Sequence, residues 1–279
     1  MSETVPFTLE TSDAPLHGLV DLPEEPGERP AVVICHGFKG FMEWGFFPAL
    51  AALLAERGYV AVRFNLSGTG MRPGDELVTD PEAFRRNTYS RELADLLAVL
   101  AATGESIAPG RVDRKRIALL GHSRGGGDAL LASARPEWRD RIRALVTWAA
   151  IADVDRFTPE QKEEWRRQGE LAMANARTGQ RLALGLELLA DIEEHRSGLD
   201  LRAAAATRRA PWLIVHGATD ESVPPVEAHH LAAAAAGIKE LLLIPDGNHT
   251  FGARHPFAGP TPQLIQALNA TQRWLREHL

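Results

Sequence analysis

Cysteine is nearly absent from this sequence. Cys35 is the only one in 279 residues, so no internal disulfide can form. A reducing compartment fits that composition, and a cytoplasmic location is expected. Lysine is also scarce, confined to Lys39, Lys115, Lys162 and Lys239, and arginine carries most of the positive charge. The formal net charge is −6, which gives no electrostatic reason to bind nucleic acid or an anionic membrane. No stretch approaches the roughly 20 apolar residues that a spanning helix needs. The N-terminus has neither a basic start nor an apolar run, so a secretory signal is not expected. Repeats and long low-complexity tracts are missing. No His, Cys or Asp cluster has metal-ligand spacing, so neither a metal nor another cofactor is expected. Gly68-Thr69-Gly70 opens no helix pattern and has no acidic residue at dinucleotide spacing, so it reads as a turn.

What is present is an alternation of strand and helix signals. Val5–Leu9 and Leu16–Asp21 flank a Ser-Asp-Ala-Pro turn and predict an antiparallel hairpin at a sheet edge. Apolar runs of buried-strand length follow at Ala31–Cys35, Tyr59–Phe64, Arg116–Leu120, Ala144–Ala149, Trp212–His216 and Glu240–Ile244. Helices are predicted between them. Phe47–Glu56 stops before Gly58, Glu82–Ala102 follows the Asp80-Pro81 start signal, and Thr261-Pro262 opens the last one. The pattern is that of an α/β fold, with a mainly parallel central sheet and helices on both faces. Residues 152–207 interrupt the alternation and are too long for an ordinary connection. Thr158-Pro159-Glu160-Gln161 is a capping box with a first-turn proline, and Thr178-Gly179 can stop that helix. Leu182, Leu186 and Leu189 then share one face of a second helix. An inserted helical cap over the strand ends is expected, acting either as a lid or as an extra packing layer.

Three segments carry chemistry. Gly121-His122-Ser123-Arg124-Gly125 is G-x-S-x-G directly after a strand and before a helix, a turn that projects the serine hydroxyl from the sheet. A serine hydroxyl needs a positioned base, and the base needs an orienting carboxylate. On this kind of sheet the expected order is Ser, then Asp or Glu, then His. Asp220 follows the strand Trp212–His216, and His249 follows the last strand, so Ser123, Asp220 and His249 are the candidate catalytic residues. His255 rivals His249 as base, and Asp246 and Asp153 rival Asp220. His36, His122 and His216 lie at strand ends, where packing and hydrogen bonding under the site are expected. Asp128 reads as a first-turn acid of the helix after Ser123. The backbone N–H groups of Phe38 and Arg124 are the candidate oxyanion donors. Lys39 reads as a surface charge, the alternative being a contact with an anionic substrate group. Trp44, Phe46, Phe47, Trp165 and Met173 are candidate lining or core residues.

His36-Gly37-Phe38, the Gly121–Gly126 elbow, His216-Gly217-Ala218-Thr219-Asp220 with Val223-Pro224, and Gly247-Asn248-His249 together resemble the α/β-hydrolase superfamily. Within it the chain is similar to single-domain feruloyl/cinnamoyl esterases and to dienelactone-hydrolase-like serine esterases. Dienelactone hydrolase itself uses a cysteine nucleophile, and serine at position 123 departs from that. The resemblance implies hydrolysis of a small-molecule carboxylic ester through an acyl-enzyme. An amidase or peptidase of the prolyl-oligopeptidase type, or an acyltransferase, could use the same three residues. A homodimer is compatible with the sequence, which does not decide it.

Overall fold

The computed structural model describes residues 3–175 and 177–279. Ten strands are present among them: β1 (Glu3–Leu9), β2 (Leu16–Leu22), β3 (Arg29–Cys35), β4 (Val60–Phe64), β5 (Val112–His122), β6 (Ile142–Trp148), β7 (Glu170–Ala174), β8 (Arg181–Gly185), β9 (Trp212–Gly217) and β10 (Lys239–Ile244). The helices are α1 (Phe47–Glu56), α2 (Pro81–Arg85), α3 (Tyr89–Ala102), α4 (Arg124–Ala134), α5 (Pro159–Gln168), α6 (Leu186–Glu194), α7 (Leu201–Thr207), α8 (Val226–Ala234) and α9 (Pro262–His278).

Eight strands form one sheet in the order β1-β2-β4-β3-β5-β6-β9-β10. The β1–β2 hairpin and the β2–β4 pair are antiparallel, and every later pair is parallel. Alternation along each strand splits the apolar residues between two cores. Val33, Leu119 and Leu145 face a core shared with α3, α4, α7 and α8. Val32, Ile34, Leu120 and Val146 face a second core closed by α1 and α9. Helices thus cover both faces, which is why the central strands read as continuous apolar runs.

Two expectations need correction. The helix predicted over Glu82–Ala102 is two helices. Thr88 caps α3 by accepting the Arg91 N–H at 3.1 Å, and buried Asn87 turns inward to donate to Glu92 Oε1 at 2.6 Å. A fresh cap at position 88 wins over continued helix. The segment 152–207, expected as a cap of two helices, also contains a hairpin. The predicted capping box forms, with Thr158 and Gln161 bonded reciprocally at 2.9 and 3.2 Å. The helix stops at Gly169, whose φ of 79° suits glycine, well before Thr178-Gly179. β7 and β8 then pair antiparallel, so Leu182 belongs to a strand and does not share a helix face with Leu186 and Leu189. Leu171 and Met173 opposite Leu184 and Leu182 form a two-residue alternation that favours strand.

Candidate active site

β5 runs to His122, and the chain then turns sharply into α4 at Ser123. Ser123 has φ 58° and ψ −122°, a conformation that costs a non-glycine residue about 1–3 kcal/mol and persists only where its surroundings enforce it. The Ser123 N–H donates to the Trp148 carbonyl at 2.8 Å, and the Ser123 carbonyl accepts from Gly126 N–H at 3.0 Å. The elbow also requires glycine on both sides. A Cβ on Gly121 would run into the Gly125 carbonyl, and one on Gly125 into the His36 carbonyl.

Two further strand ends deliver the other groups. After β9, Asp220 accepts N–H bonds from Ser222 and Val223, each at 2.9 Å. After β10, the loop at 245–249 is braced against the β9 loop, with Thr219 donating to the Gly247 carbonyl at 2.9 Å from its N–H and 3.0 Å from its hydroxyl. His249 Nδ1–H donates to Asp220 Oδ2 at 2.8 Å, and the Ser123 hydroxyl donates to His249 Nε2 at 3.0 Å. Burial alone would raise the Asp220 carboxyl, yet hydrogen bonds from His216, His249 and Val223 outweigh it and hold the group well below the usual carboxylate range. An ionised Asp220 accepts only, which fixes the imidazole with its proton on Nδ1 and a free lone pair toward Ser123.

The structure therefore brings Ser123, Asp220 and His249 together. The rival groups make no hydrogen bond to Ser123 or His249 among the described residues. His255 is engaged by the Gly45 N–H at 2.9 Å and by Glu76, while Asp246 and Asp153 are exposed. The strand-end histidines support the site from below. His122 Nε2–H donates to the His249 carbonyl at 2.9 Å, and burial pushes its pKa down to about 3. His36 accepts the Leu66 N–H and donates to the Gly37 carbonyl, and burial lowers it to about 4. His216 donates to the Val223 carbonyl at 2.8 Å beside Asp220. The buried Cys35 thiol is raised well above its ordinary value, by burial first and then by Asp128, so it stays a protonated core group.

Neither the Phe38 nor the Arg124 N–H has an acceptor among the described residues. Gly37 makes the close approach of the Phe38 loop possible, since a Cβ there would sit 2.8 Å from Ser123 Cβ and 2.9 Å from the His122 carbonyl. The Arg124 side chain was not foreseen. It runs inward, pairs with buried Glu92 and stacks 3.7 Å from the centre of the Tyr89 ring. Asp128 is also a correction. It lies beyond the first turn of α4, fully buried beside this pair, and burial followed by the Glu92 charge raises its pKa well above the ordinary carboxylate value.

Two cavities meet at Ser123 and His249. One, of about 550 Å³, is walled by Trp44, Phe47, Lys39, Arg177, Arg254 and His255. The other, of about 390 Å³, lies over Tyr89, Arg124, Ile151, Phe157, Met173 and Val223. Lys39 lines both, so it is more than a surface charge, whereas Phe46 and Trp165 are wholly core. A hydroxyl activated by an imidazole, beside two free N–H groups and between two cavities, can add to a carbonyl carbon and hold the resulting oxyanion.

Residues 32–259 match the alpha/beta hydrolase family. The chain belongs to that family. It is 25% identical over 290 residues to an uncharacterised 31.7 kDa protein of Escherichia coli, covering 92% of this chain and 94% of that one. It is 26% identical over 247 residues to the serine hydrolase BPHL of Mus musculus, covering 85% and 78%. In structure it is similar to Est1E of Butyrivibrio proteoclasticus bound to ferulic acid, with TM-score 0.75, 24% identity and 98% of each chain covered. Among the described residues no helix of this hydrolase is long and apolar enough to cross a membrane.

Proposed function

We propose that the protein hydrolyses small-molecule carboxylic esters through an acyl-enzyme on Ser123. The observation that carries this reading is the unbroken chain from Ser123 Oγ to His249 Nε2 at 3.0 Å and from His249 Nδ1 to Asp220 Oδ2 at 2.8 Å. His249 takes the serine proton as Oγ adds to the ester carbonyl, and Asp220 stabilises the imidazolium that forms. The Phe38 and Arg124 N–H groups receive the oxyanion. The alcohol departs with the proton from His249, and water activated by the same imidazole then releases the acid. The name of the BPHL relative, a serine hydrolase, supports a serine nucleophile.

Residues 152–207 act in this reading as a lid on a single α/β-hydrolase domain. Asn175 and Arg177 reach one cavity, while Phe157 and Met173 reach the other. Gln180 ties the hairpin to Val78 through hydrogen bonds of 2.9 and 3.1 Å. A fluorophosphonate probe should label the wild type and not Ser123→Ala, and p-nitrophenyl butyrate should turn over faster than its anilide analogue. Labelling that survives Ser123→Ala would remove Ser123 from the mechanism. Faster cleavage of the anilide would replace esterase by amidase.

A further inference from the structure

The two cavities differ in how their cations are satisfied. In the smaller one, Arg124 is paired with Glu92 and Arg156 with Glu227. The larger one presents Lys39, Arg177 and Arg254 and is lined by no Asp or Glu. None of these three is in an ion pair among the described residues. Lys39 Nζ donates to the Ala174 carbonyl at 3.3 Å and lies 5.5 Å from the centre of the Phe38 ring, and Arg177 donates to the Glu76 carbonyl at 2.8 Å. The nearby Glu76 carboxylate is exposed and taken up by His255. Burial lowers the pKa of both Lys39 and Arg177, and for Arg177 the Glu76 charge offsets that only in part, so each charge is held partly out of water without a paired anion. This concentration of positive charge lies in a protein whose net charge is −6. Trp44 and His255 also line it, their rings near-parallel with centres 6.3 Å apart. The volume of about 550 Å³ is ample for an aromatic or short aliphatic acid.

We propose that this cavity binds the half of the ester that bears a second, free carboxylate, so that the enzyme selects singly anionic esters. The proposal rests on the esterase reading. The carboxylate can stand on the acyl chain or on the leaving group, and the chemistry of recognition is the same for both: charge-assisted hydrogen bonds from Arg177, Arg254 and Lys39.

Two matched pairs distinguish the sources. For the acyl half, p-nitrophenyl hydrogen glutarate is compared with p-nitrophenyl pentanoate. For the leaving half, 4-carboxyphenyl butyrate is compared with 4-carbamoylphenyl butyrate. In at least one pair, kcat/KM should favour the anion by about tenfold or more. Added salt should shrink that ratio. In Arg177→Gln/Arg254→Gln the ratio should fall to near one, and in Arg114→Gln, at the far end of β5, it should persist. Neutral esters equal or preferred in both pairs, or a ratio that survives the double variant, would overturn the proposal. Failure of the esterase reading looks different: no turnover of p-nitrophenyl pentanoate and no fluorophosphonate labelling. In that event, calorimetry with 4-hydroxybenzoate against 4-hydroxybenzamide reads the same preference without turnover, and equal affinities overturn it.

Discussion

His122 links the site to the stability of the fold in a way that can be measured. Its imidazole is buried, and desolvation first, then the neighbouring His249, lowers its pKa from 6.5 to about 3. The folded protein therefore keeps His122 neutral at pH values where the unfolded chain protonates it. Below pH 6.5 the unfolded state binds the extra proton, so stability is lost as pH falls, and the loss stops only near pH 3. Each pH unit in that window costs about 1.4 kcal/mol, and between pH 7 and pH 5 the loss from this one group is about 2 kcal/mol. Buried carboxylates whose pKa is raised act in the opposite direction, while Asp220, whose pKa is lowered, adds to the loss. Asp95, which burial raises to about 6, gains stability on acidification, so the net acid slope of the wild type mixes both signs. A difference measurement isolates the histidine. His122→Gln keeps a donor near the Nε2 position, where the bond to the His249 carbonyl is 2.9 Å, and removes the titration. Urea unfolding followed by tryptophan fluorescence at pH 7, 6 and 5 gives both curves. The gap between wild type and variant should narrow by about 2 kcal/mol from pH 7 to pH 5. A gap that stays constant would refute the idea that His122 is neutral and desolvated in the folded state.

Other consequences follow directly. Asp220→Asn leaves the imidazole without its ionised acceptor, so kcat for p-nitrophenyl butyrate should drop by about 10⁴ with little change in KM; a drop below tenfold would argue against the orienting role. Gly125→Ala drives a methyl into the His36 carbonyl and should destabilise the protein by about 3 kcal/mol in urea melts, whereas an unchanged midpoint would mean the elbow is looser than described. Arg124→Met strands Glu92 beside Asp128 and should cost about 3–5 kcal/mol, while Arg124→Met/Glu92→Met should recover part of that. Equal losses in the single and double variants would show that the pair is not the source of the cost.

The three candidate catalytic groups were legible because each announces itself locally. Ser123 sits in a glycine-bounded turn after an apolar run, and Asp220 and His249 each follow a strand whose parallel neighbour is fixed by hydrophobic pattern. The hairpin at 170–185 was not legible in the same way. Its Ala, Leu, Met and Arg content favours helix, and only the alternation of Leu171 with Met173 and of Leu182 with Leu184 signals strand. The break at Arg86–Thr88 was hidden for a similar reason, since Asn87 leaves the helix to reach Glu92, a partner that tertiary packing alone supplies. The inward turn of Arg124 depends on the same carboxylate, from a helix more than twenty positions away, and no local pattern could have shown it.

In the proposed reading, reactivity and selectivity have separate structural sources. Ser123, Asp220 and His249 hang from β5, β9 and β10, whose order and register are set by two apolar cores. Most of the larger cavity's wall comes from other places: the loop after β3, the hairpin at 170–185, and residues 250–255 after His249. Those segments are tied in part by side-chain bonds such as Gln180 to Val78 and His255 to Gly45, neither of which involves a strand of the main sheet. Replacing a wall residue such as Arg177 therefore leaves the sheet register untouched and alters only what can sit beside Ser123. A change within the register, such as a side chain at Gly121 or Gly217, forces backbone apart at the turn itself. Wall substitutions should accordingly change the ranking of substrates while probe labelling of Ser123 persists, and register substitutions should abolish labelling for every substrate alike.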